Sequence, residues 1–442
     1  MPTPERESAL LKNHDAWASY FASLNEPSYR AAQICDWLWK RGIWDVGSMT
    51  DLGKNLRELL PEAIDFSHPE ISSESKASDG TKKFLVTMPG GATVETALLK
   101  HGPRLTACVS TQVGCPVGCP FCVTGAGGFD RNLSAGEIAA QLVTMERHIG
   151  RAIQSVVMMG MGEPFLNTDE TLEAVRMLNS PKMRGLGIRH ITISTVGIIP
   201  GIRALTESGL GVRLAVSLHA ADDELRNRLA PCNSNYPLGD LMESLRDYQR
   251  VTGDRITIEY AMFKDVNDSI AHARALVRRL HGLHSYVNLI PANESGMGYE
   301  RSDPESILKF QSVLQSAGFE SEIRVERGTE INASCGQLRR ASRDLAPESA
   351  KKPASPRRDK PHYETGSGNG GDKKFTGKTS ARTPTREDGR GRDKTRAEEG
   401  QRTGPGREGG RTTERGGASG KRVSVSPKFS NTSKNKKRDK RF

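Results

Sequence analysis

The chain has 442 residues, more than one hydrophobic core usually organises, so we expect two folded parts and a further segment. Seven cysteines in a large chain, with no signal peptide expected, argue against a secreted disulfide scaffold, and no run of about 18 apolar residues predicts a membrane span. The net charge is +11, but residues 345–442 contain 27 Lys and Arg against 12 Asp and Glu, so residues 1–344 are slightly acidic. We therefore expect a cytoplasmic protein in a reducing compartment, with its basic character confined to the C-terminal part.

Residues 1–75 predict a small helical module. Apolar residues recur three and four apart over residues 29–39 and again over residues 52–60, which indicates amphipathic helices. All the tryptophans of the chain fall in this module, and they are Trp17, Trp37, Trp39 and Trp44. We interpret them as packing residues, with stacking on nucleic acid bases as the alternative.

Residues 76–104 predict a β-hairpin that links this module to the rest of the chain. Residues 84–88 and 93–99 have the composition of strands, and the turn Pro89-Gly90-Gly91 lies between them. A hairpin of this kind brings its two strands side by side in an antiparallel pair.

Over residues 105–344, β-rich runs alternate with helical ones. The predicted strands are 106–112, 155–159, 190–195, 212–218, 256–262 and 286–290, with 322–325 as a possible addition. Residues 137–149 predict an amphipathic helix. Ser134 and Glu137 have the spacing of a capping box at its start. The alternation predicts an α/β fold, a partial (βα)6 barrel with its chemistry at the C-terminal ends of the strands.

Residues 345–442 predict a disordered basic tail. This segment is rich in Lys, Arg, Gly, Ser, Thr and Pro, and it has too few large apolar residues to offset the entropy lost on ordering. A flexible polycation displaces counterions from phosphate backbones, which gives salt-dependent affinity for nucleic acid without sequence preference. A tail that only increases solubility is the alternative.

The most informative motif is a group of three cysteines, Cys115, Cys119 and Cys122, within one Gly- and Pro-rich loop. Iron-sulfur clusters are usually held by four thiolates, so three thiolates with no nearby fourth leave one iron of a 4Fe-4S cluster open. The amino and carboxylate groups of S-adenosylmethionine can complete that iron. A zinc site is the first alternative, although zinc prefers four closed ligands and no second ligand pair follows. Three unconnected buried thiols are the second alternative.

Polar and glycine residues fall at the predicted ends of other strands. Gly160-Met161-Gly162-Glu163-Pro164 follows the second strand, and Ser194, Ser217, His219 and Asn293 lie at the ends of later ones. The glycines allow a close backbone approach, and the polar side chains offer donors and acceptors suited to an ammonium, a ribose and an adenine. Each polar residue taken alone fits a helix cap or a strand-end hydrogen bond equally well.

The chain resembles the RlmN/Cfr family of radical S-adenosylmethionine RNA methyltransferases over roughly residues 25–340, and its RlmN branch most closely. The matching stretches are Tyr29-Arg30-Ala31-Ala32-Gln33-Ile34, Met49-Thr50-Asp51-Leu52, Cys108-Val109-Ser110-Thr111-Gln112-Val113-Gly114-Cys115, Gly128-Phe129-Asp130-Arg131-Asn132-Leu133, Met159-Gly160-Met161-Gly162-Glu163-Pro164, Val216-Ser217-Leu218-His219-Ala220, Val287-Asn288-Leu289-Ile290-Pro291 and Ser334-Cys335-Gly336-Gln337-Leu338. Eight matches in the same order make a chance resemblance implausible. The resemblance implies that the barrel is a radical S-adenosylmethionine barrel and that residues 1–75 are an RNA-binding accessory module.

The resemblance also assigns roles to individual residues. It implies that Cys115, Cys119 and Cys122 ligate the 4Fe-4S cluster. It implies that the S-adenosylmethionine site is lined by Gly162, Glu163, Ser194, Ser217, Leu218, His219 and Asn293. It implies three catalytic residues: Cys335 as methyl carrier, Cys108 as resolving cysteine and Glu95 as proton acceptor. From the residues alone, both cysteines would be buried structural thiols and Glu95 a solvated strand residue.

The resemblance implies a mechanism that uses two S-adenosylmethionine molecules per turnover. The first methylates Cys335, and the second is cleaved to a 5′-deoxyadenosyl radical that takes a hydrogen atom from this methyl group. The methylene radical on sulfur adds to an electron-poor adenine carbon, and Glu95 accepts the ring proton. Cys108 then attacks Cys335 and releases the product through a transient disulfide.

The implied substrates are an adenine of large-subunit rRNA and a tRNA adenine, both methylated at carbon 2. Flavodoxin or ferredoxin would supply electrons, and we expect a monomer without membrane contact. Methylation at carbon 8 is the alternative within the family, since the Cfr branch uses the same apparatus. A non-catalytic iron-sulfur or zinc RNA-binding protein is the alternative from another class. Cys35 and Cys232 have no implied role, and we interpret them as packing thiols.

Overall fold

The computed structural model describes residues 6–293, 296–334 and 336–338. The predicted tail over residues 345–442 and the predicted methyl carrier Cys335 therefore lie outside the described residues. The strands of the described part are β1 (Glu7–Ser8), β2 (Ile64–Asp65), β3 (Glu70–Lys76), β4 (Lys82–Thr87), β5 (Thr93–His101), β6 (Arg104–Cys108), β7 (Gln112–Gly114), β8 (Phe129–Asn132), β9 (Ser155–Met158), β10 (Ile191–Thr195), β11 (Arg213–Ser217), β12 (Ile256–Met262), β13 (Ser285–Pro291) and β14 (Glu320–Ile323). The α-helices of the described part are α1 (His14–Ser23), α2 (Tyr29–Cys35), α3 (Lys54–Ala63), α4 (Val123–Ala126), α5 (Ala135–Ile149), α6 (Thr168–Asn179), α7 (Ile199–Glu207), α8 (Asp223–Leu229), α9 (Leu238–Thr252), α10 (Ile270–Leu280) and α11 (Pro304–Ser316).

A single sheet of ten strands organises most of the described chain, in the order β14-β13-β12-β11-β10-β9-β6-β5-β4-β3. Strands β6 and β9 to β14 are parallel to one another, and helices connect most successive members. Strand β12 is buried along nearly its whole length, as expected for a parallel strand covered on both faces. The six predicted strands and the possible seventh are all present, so the prediction of an α/β partial barrel is confirmed.

Helix α5, which follows β8 in the chain, has the predicted capping box. The Ser134 hydroxyl accepts a hydrogen bond from the Glu137 backbone N–H at 3.2 Å, and the Glu137 carboxylate accepts one from the Ser134 N–H at 2.9 Å. Gly150 ends the helix in the left-handed conformation, with φ of 64°. This helix therefore begins and ends as its sequence predicts.

The hairpin of β4 and β5 is continuous with the barrel. The two strands pair antiparallel, β5 pairs antiparallel with β6, and β6 begins the parallel part of the sheet. Strand β3 extends the sheet on the other side of β4, so the description of residues 1–75 as helical is wrong at its end. Apart from the half-buried Ile71, the side chains of β3 are polar and exposed, which leaves no apolar alternation to indicate a strand.

The N-terminal helices α1, α2 and α3 bury the tryptophans. Trp17, Trp37, Trp39 and Trp44 are all buried and belong to one hydrophobic cluster. The Trp37 indole N–H donates to Asp51 Oδ1 at 2.6 Å. The interpretation of these residues as packing residues is therefore confirmed. None of the helices in the described ranges has both the length and the apolar composition required to cross a bilayer.

Two glycines in the first turn of a helix give a matched test of the packing between α5 and the N-terminal residues. A Cβ atom at Gly136 would lie 1.9 Å from the Leu10 carbonyl oxygen, whereas a Cβ atom at Gly239 in α9 would meet nothing within 4 Å. We expect Gly136→Ala to destabilise the protein by about 2 kcal/mol through overpacking. Gly239→Ala should be neutral or stabilising by up to about 1 kcal/mol. Urea denaturation measures both, and equal stability of the two variants would contradict the close contact.

Candidate active site

A cavity of about 230 Å³ opens at the C-terminal ends of the parallel strands. This volume is several times the volume of about 30 Å³ that one water molecule occupies in the liquid, so the cavity has room for part of a larger ligand. The residues predicted for catalysis, cluster binding and S-adenosylmethionine binding that line it are Cys108, Cys115, Cys119, Cys122, Gly162, Glu163, Ser194, Ser217, His219 and Asn293. The parallel strands thus bring together residues that are far apart in sequence.

Two predicted residues contribute to this region without lining the cavity. Leu218 is fully buried, and its backbone N–H donates to the Glu259 carbonyl oxygen at 3.0 Å. Glu95 lies on β5, where its carboxylate is 2.9 Å from Lys83 Nζ. The other predicted catalytic cysteine, Cys335, is outside the described residues, but Ser334 and Gly336 both line the cavity.

The cysteine loop is held at both ends by backbone hydrogen bonds. At its start the Cys115 N–H donates to the Gly128 carbonyl at 2.9 Å, and at its end the Val123 N–H donates to the Gly336 carbonyl at 2.8 Å. Gly114 has φ of 81°, and a Cβ atom there would lie 1.9 Å from the Gly128 oxygen, so only glycine fits. The loop therefore presents its thiols from a fixed backbone.

The three thiols of the loop form a suitable donor set for an iron-sulfur cluster. Burial raises the pKa of Cys115 to about 12 and raises the pKa of Cys119 well above its usual range, and the neighbouring thiols raise both further. Since the thiolate is the metal-binding form, cluster binding must release these protons. No three His, Cys, Asp or Glu side chains in the described part of the chain are arranged around a single metal ion. A 4Fe-4S cluster takes each thiolate on a different iron atom, so three separate thiols fit it.

Glu163 connects the glycine-rich turn after β9 to the end of β10. Its Oε1 accepts a hydrogen bond from the Phe165 N–H at 3.0 Å, and its Oε2 accepts one from the Val196 N–H at 2.7 Å. Burial raises the pKa of Glu163 to about 7, although these two N–H donors oppose the shift. Gly162 precedes it with φ of 103°, and a Cβ atom there would lie 2.7 Å from Gln112 Cβ. The turn therefore places a carboxyl group at the wall of the cavity, where a ligand ammonium would favour its ionised form.

His219 occupies the end of β11 as a neutral ring. Its Nδ1 accepts a hydrogen bond from the Ala261 N–H at 3.0 Å, and its ring meets the Phe121 ring edge to face at 5.2 Å between centroids. Burial lowers the pKa of His219 to about 3, and the nearby Arg226 lowers it further. Because Nδ1 is an acceptor, the hydrogen of the neutral ring lies on Nε2, which makes His219 a hydrogen-bond donor at the cavity.

The lowered pKa of His219 predicts a specific dependence of stability on pH. Below its usual pKa of 6.5 the unfolded chain takes up a proton on this histidine and the folded chain does not, so stability falls as pH decreases from 6.5 toward 3. His219→Asn retains an acceptor near Nδ1 and tolerates the left-handed backbone, with φ of 59°, but it does not titrate. Between pH 6.5 and about pH 5 we expect the free energy of unfolding to fall by about 2 kcal/mol more in the original protein than in the variant. Urea titrations of the metal-free proteins at both pH values measure this difference, and parallel losses would contradict it.

Some polar residues of the cavity were not predicted from the sequence. Glu259 and Arg324 both line it, and the Glu259 carboxylate accepts a hydrogen bond from Asn288 Nδ2 at 2.7 Å. Burial raises the pKa of Glu259, while Arg324 opposes the shift. The available signal was the polar pair Thr257 and Glu259, two residues apart in an otherwise apolar strand, which indicates one strand face directed away from the core.

Two family models match the chain in the regions that form this architecture. The model of the radical SAM superfamily matches residues 109–277, and the model of the ribosomal RNA large subunit methyltransferase N-terminal domain matches residues 10–65. The first covers the cysteine loop and most of the parallel strands. The second covers the tryptophan-containing helices.

Relatives and a solved structure match nearly over their full lengths. A probable dual-specificity RNA methyltransferase RlmN from Thermotoga neapolitana is 44% identical over 334 residues, which are 75% of this chain and 97% of that protein. A protein of the same name from Staphylococcus saprophyticus is 39% identical over 349 residues, 78% of this chain and 96% of that protein. The crystal structure of a radical SAM methyltransferase from Sphaerobacter thermophilus superposes with a TM-score of 0.73 at 41% identity, covering 75% of this chain and 99% of the other.

These similarities agree with the geometry of the cavity. Members of the radical SAM superfamily use a 4Fe-4S cluster and S-adenosylmethionine, which are the cofactors that the three thiols and the strand-end residues fit. The chain therefore belongs to the RlmN family of radical SAM RNA methyltransferases.

Proposed function

We propose that this enzyme methylates carbon 2 of an adenine in large-subunit ribosomal RNA and carbon 2 of a tRNA adenine, with Cys335 as the methyl carrier. The observation that supports this best is the cavity itself, which is lined by the three loop thiols, by Cys108 and by the two neighbours of Cys335. The relatives named as dual-specificity RNA methyltransferases support two kinds of RNA substrate.

The cofactor side of the cavity is formed by the cysteine loop and the strand ends. Cys115, Cys119 and Cys122 would hold the cluster. Gly162, Glu163, Ser194, Ser217, His219 and Asn293 would surround S-adenosylmethionine, with Leu218 contributing its backbone. When bound, the two groups supply a one-electron cleavage of the sulfonium, which gives a carbon radical able to take a hydrogen atom from a methyl group.

The substrate side of the cavity is formed by β5, β6 and the segment before Cys335. Cys108 packs against Ala97 and Ala333, and Ala333 precedes Cys335 by two residues. In the proposed reaction the Cys108 thiolate attacks the sulfur of Cys335 to form a disulfide. The carbon–sulfur bond to the adduct breaks, its electron pair remains on the CH2 carbon, and this carbon takes a proton from water to become the new methyl group.

Glu95 is the proposed proton acceptor. Its carboxylate would take the proton from the adenine carbon as the adduct rearranges, which leaves a neutral carboxylic acid. The adduct must also lose its unpaired electron, which would pass to the oxidised cluster as the acceptor. Glu95 lies on β5 with the cavity residues Ala97 and Leu99. These residues are two apart along the strand, so all three lie on one face of the sheet. This arrangement supports the proposed role, because Glu95 shares a strand face with residues that line the substrate side of the cavity.

Mass analysis of digested rRNA and tRNA from cells with and without the gene tests the position of methylation. We expect 2-methyladenosine to disappear from both RNAs in the deletion strain and to return when the gene is restored. Loss of 8-methyladenosine instead would assign the enzyme to the carbon-8 alternative. Anaerobic protein that binds RNA but forms no 5′-deoxyadenosine with S-adenosylmethionine and dithionite would support the non-catalytic alternative and overturn the proposal.

Further expectations stay with this proposal. Flavodoxin or ferredoxin would deliver the electrons, and the protein would act as a monomer in the cytoplasm. The chain would divide into the module 1–75, whose last residues enter the sheet as β3, the linking hairpin 76–104, the barrel 105–344 and the basic tail 345–442. Removing the tail should weaken RNA affinity in a salt-dependent way, and an unchanged salt slope would show that the tail does not bind RNA.

A further inference from the structure

Lys83 and Glu95 form an ion pair beside the substrate side of the cavity. Lys83 Nζ lies 2.9 Å from Glu95 Oε1, and their side chains are only 15% and 13% exposed. Burial of two charged groups costs desolvation energy, so a pair in this position is weak support for a purely stabilising role. The location of the pair therefore needs another explanation.

The strand register places this pair on the same face as the resolving cysteine. Lys83 is directly opposite Ala97 in the pairing of β4 with β5, and Ala97 is directly opposite Cys108 in the pairing of β5 with β6. Opposite residues in antiparallel strands share a face, and so do residues two apart along a strand, such as Glu95 and Ala97. Lys83, Glu95 and Cys108 therefore lie on one face of three adjacent strands.

The backbone of Glu95 is fixed by the loops that build the rest of the site. Its carbonyl accepts a hydrogen bond from the Ser110 hydroxyl at 2.8 Å, and its N–H approaches Met161 Sδ at 3.3 Å. The Ser110 hydroxyl also accepts a hydrogen bond from the Met161 N–H at 2.9 Å. With the backbone held in this way, the direction of the carboxylate depends on its side-chain torsions and on what binds its end.

We propose that Lys83 is a positioning residue that holds one carboxylate oxygen of Glu95, so that the group is directed for proton transfer from the substrate. This inference rests on the proposed function, because it concerns the proton acceptor of that reaction. In the step itself, the Glu95 carboxylate gains the proton released by the adenine carbon and becomes neutral. Lys83 neither gains nor loses a proton, and it contributes orientation and an ammonium hydrogen bond.

The chain provides a matched control for the charge and length of this side chain. Lys82 is the adjacent residue on β4, and its side chain lies on the opposite face, where Nζ pairs with Glu74 Oε1 at 2.6 Å. Lys82→Met removes an ion pair from the same strand without affecting the substrate side of the cavity. Lys83→Met removes the proposed contact, and Lys83→Arg retains a cation able to reach Glu95.

The experiment follows the partial reactions of the reconstituted full-length enzyme with large-subunit rRNA from a strain lacking the gene. We expect Lys83→Met to lower kcat by about 100-fold, the size of effect that misplacing a reacting group produces, with KM for RNA nearly unchanged. Mass analysis of the peptide that contains Cys335 should show normal methylation, while the covalent protein–RNA adduct accumulates because the proton-transfer step is slow. Lys83→Arg should recover most of the lost activity, and Lys82→Met should match the original enzyme.

A second measurement tests whether Lys83 acts through Glu95. If it does, Lys83→Met should cost little further activity in a Glu95→Gln background, since residues that act as a unit are not additive. The inference would be overturned if the Lys83→Met variant had the same kcat as the unsubstituted enzyme. It would also be overturned if the variant lost Cys335 methylation in proportion to its loss of turnover. If the unsubstituted enzyme itself shows neither Cys335 methylation nor adenine modification, the proposed function is overturned instead. The two failures are therefore distinguishable.

Discussion

Cys108→Ala protein isolated from cells that contain its RNA substrate should carry covalently attached RNA, whereas Cys335→Ala protein should carry none. In the proposed mechanism, removal of Cys108 leaves addition of the Cys335 carbon to the adenine intact but removes the thiolate that breaks the carbon–sulfur bond. Removal of Cys335 prevents the bond from forming. Turnover should fall in both variants by on the order of 10⁴-fold or more, as expected when a nucleophile is deleted.

Absorbance at 260 nm, nuclease digestion and intact mass of the purified proteins measure the attached RNA. Cys35→Ala is the matched control, because Cys35 is fully buried in the N-terminal helices and has no proposed role in catalysis. We expect it to be free of RNA and active. RNA-free Cys108→Ala protein would argue against the resolving role of Cys108, and RNA on Cys335→Ala would argue against the methyl-carrier role.

Replacement of Arg226 with leucine should destabilise the protein by about 3 to 5 kcal/mol. Arg226 is fully buried, and its guanidinium donates to the Leu218 carbonyl at 3.2 Å, to Asn233 Oδ1 at 2.7 Å and to the Val196 carbonyl. Leucine cannot donate, so two buried carbonyl groups would lose this hydrogen bond. Because Val196 and Leu218 follow the strands that present Ser194 and Ser217, the variant should also bind S-adenosylmethionine more weakly.

Arg228→Leu is the control for Arg226→Leu, since it removes an exposed arginine two residues later on the same helix. We expect its free energy of unfolding to change by less than about 0.5 kcal/mol. Urea denaturation compares the two variants, and isothermal titration with S-adenosylmethionine measures the effect on binding to the reconstituted protein. If Arg226→Leu is as stable as Arg228→Leu, the buried guanidinium does not hold the two strand ends.

The parallel strands were predictable because each is a short apolar run between helical patterns. The predicted strand 256–262 agrees with β12 at both ends, since Ile256 to Met262 are apolar at most positions and buried. The first predicted strand, 106–112, is shifted, because β6 ends at Cys108 and Gln112 belongs to β7. Ser110 leaves the sheet where its N–H donates to Gln141 Oε1 and its hydroxyl donates to Glu95, contacts that sequence periodicity does not reveal.

Much of the site was predictable for a related reason. Strand ends of a parallel sheet meet at one edge, so distinctive residues after several strands must lie close together. The positions of Lys83 and Arg226 were not predictable in this way. The position of Lys83 follows from the antiparallel register of β4 with β5. The position of Arg226 follows from the packing of α8 beneath the ends of β10 and β11. In the sequence, the arginines of α8 look like those of any exposed helix surface.

The hydrogen bonds between the cysteine loop and the last described residues link two parts of the enzyme that are about 200 positions apart in the chain. Val123 N–H donates to the Gly336 carbonyl, and the Thr124 hydroxyl donates to the Leu338 carbonyl at 2.7 Å. Whatever stabilises one partner of such a link also stabilises the other, because coupling free energies are reciprocal. We therefore expect cluster insertion at the cysteine loop and docking of residues 336–338 to favour each other. If Cys335 carries the methyl group as proposed, maturation of the metal centre would also prepare the segment that delivers it.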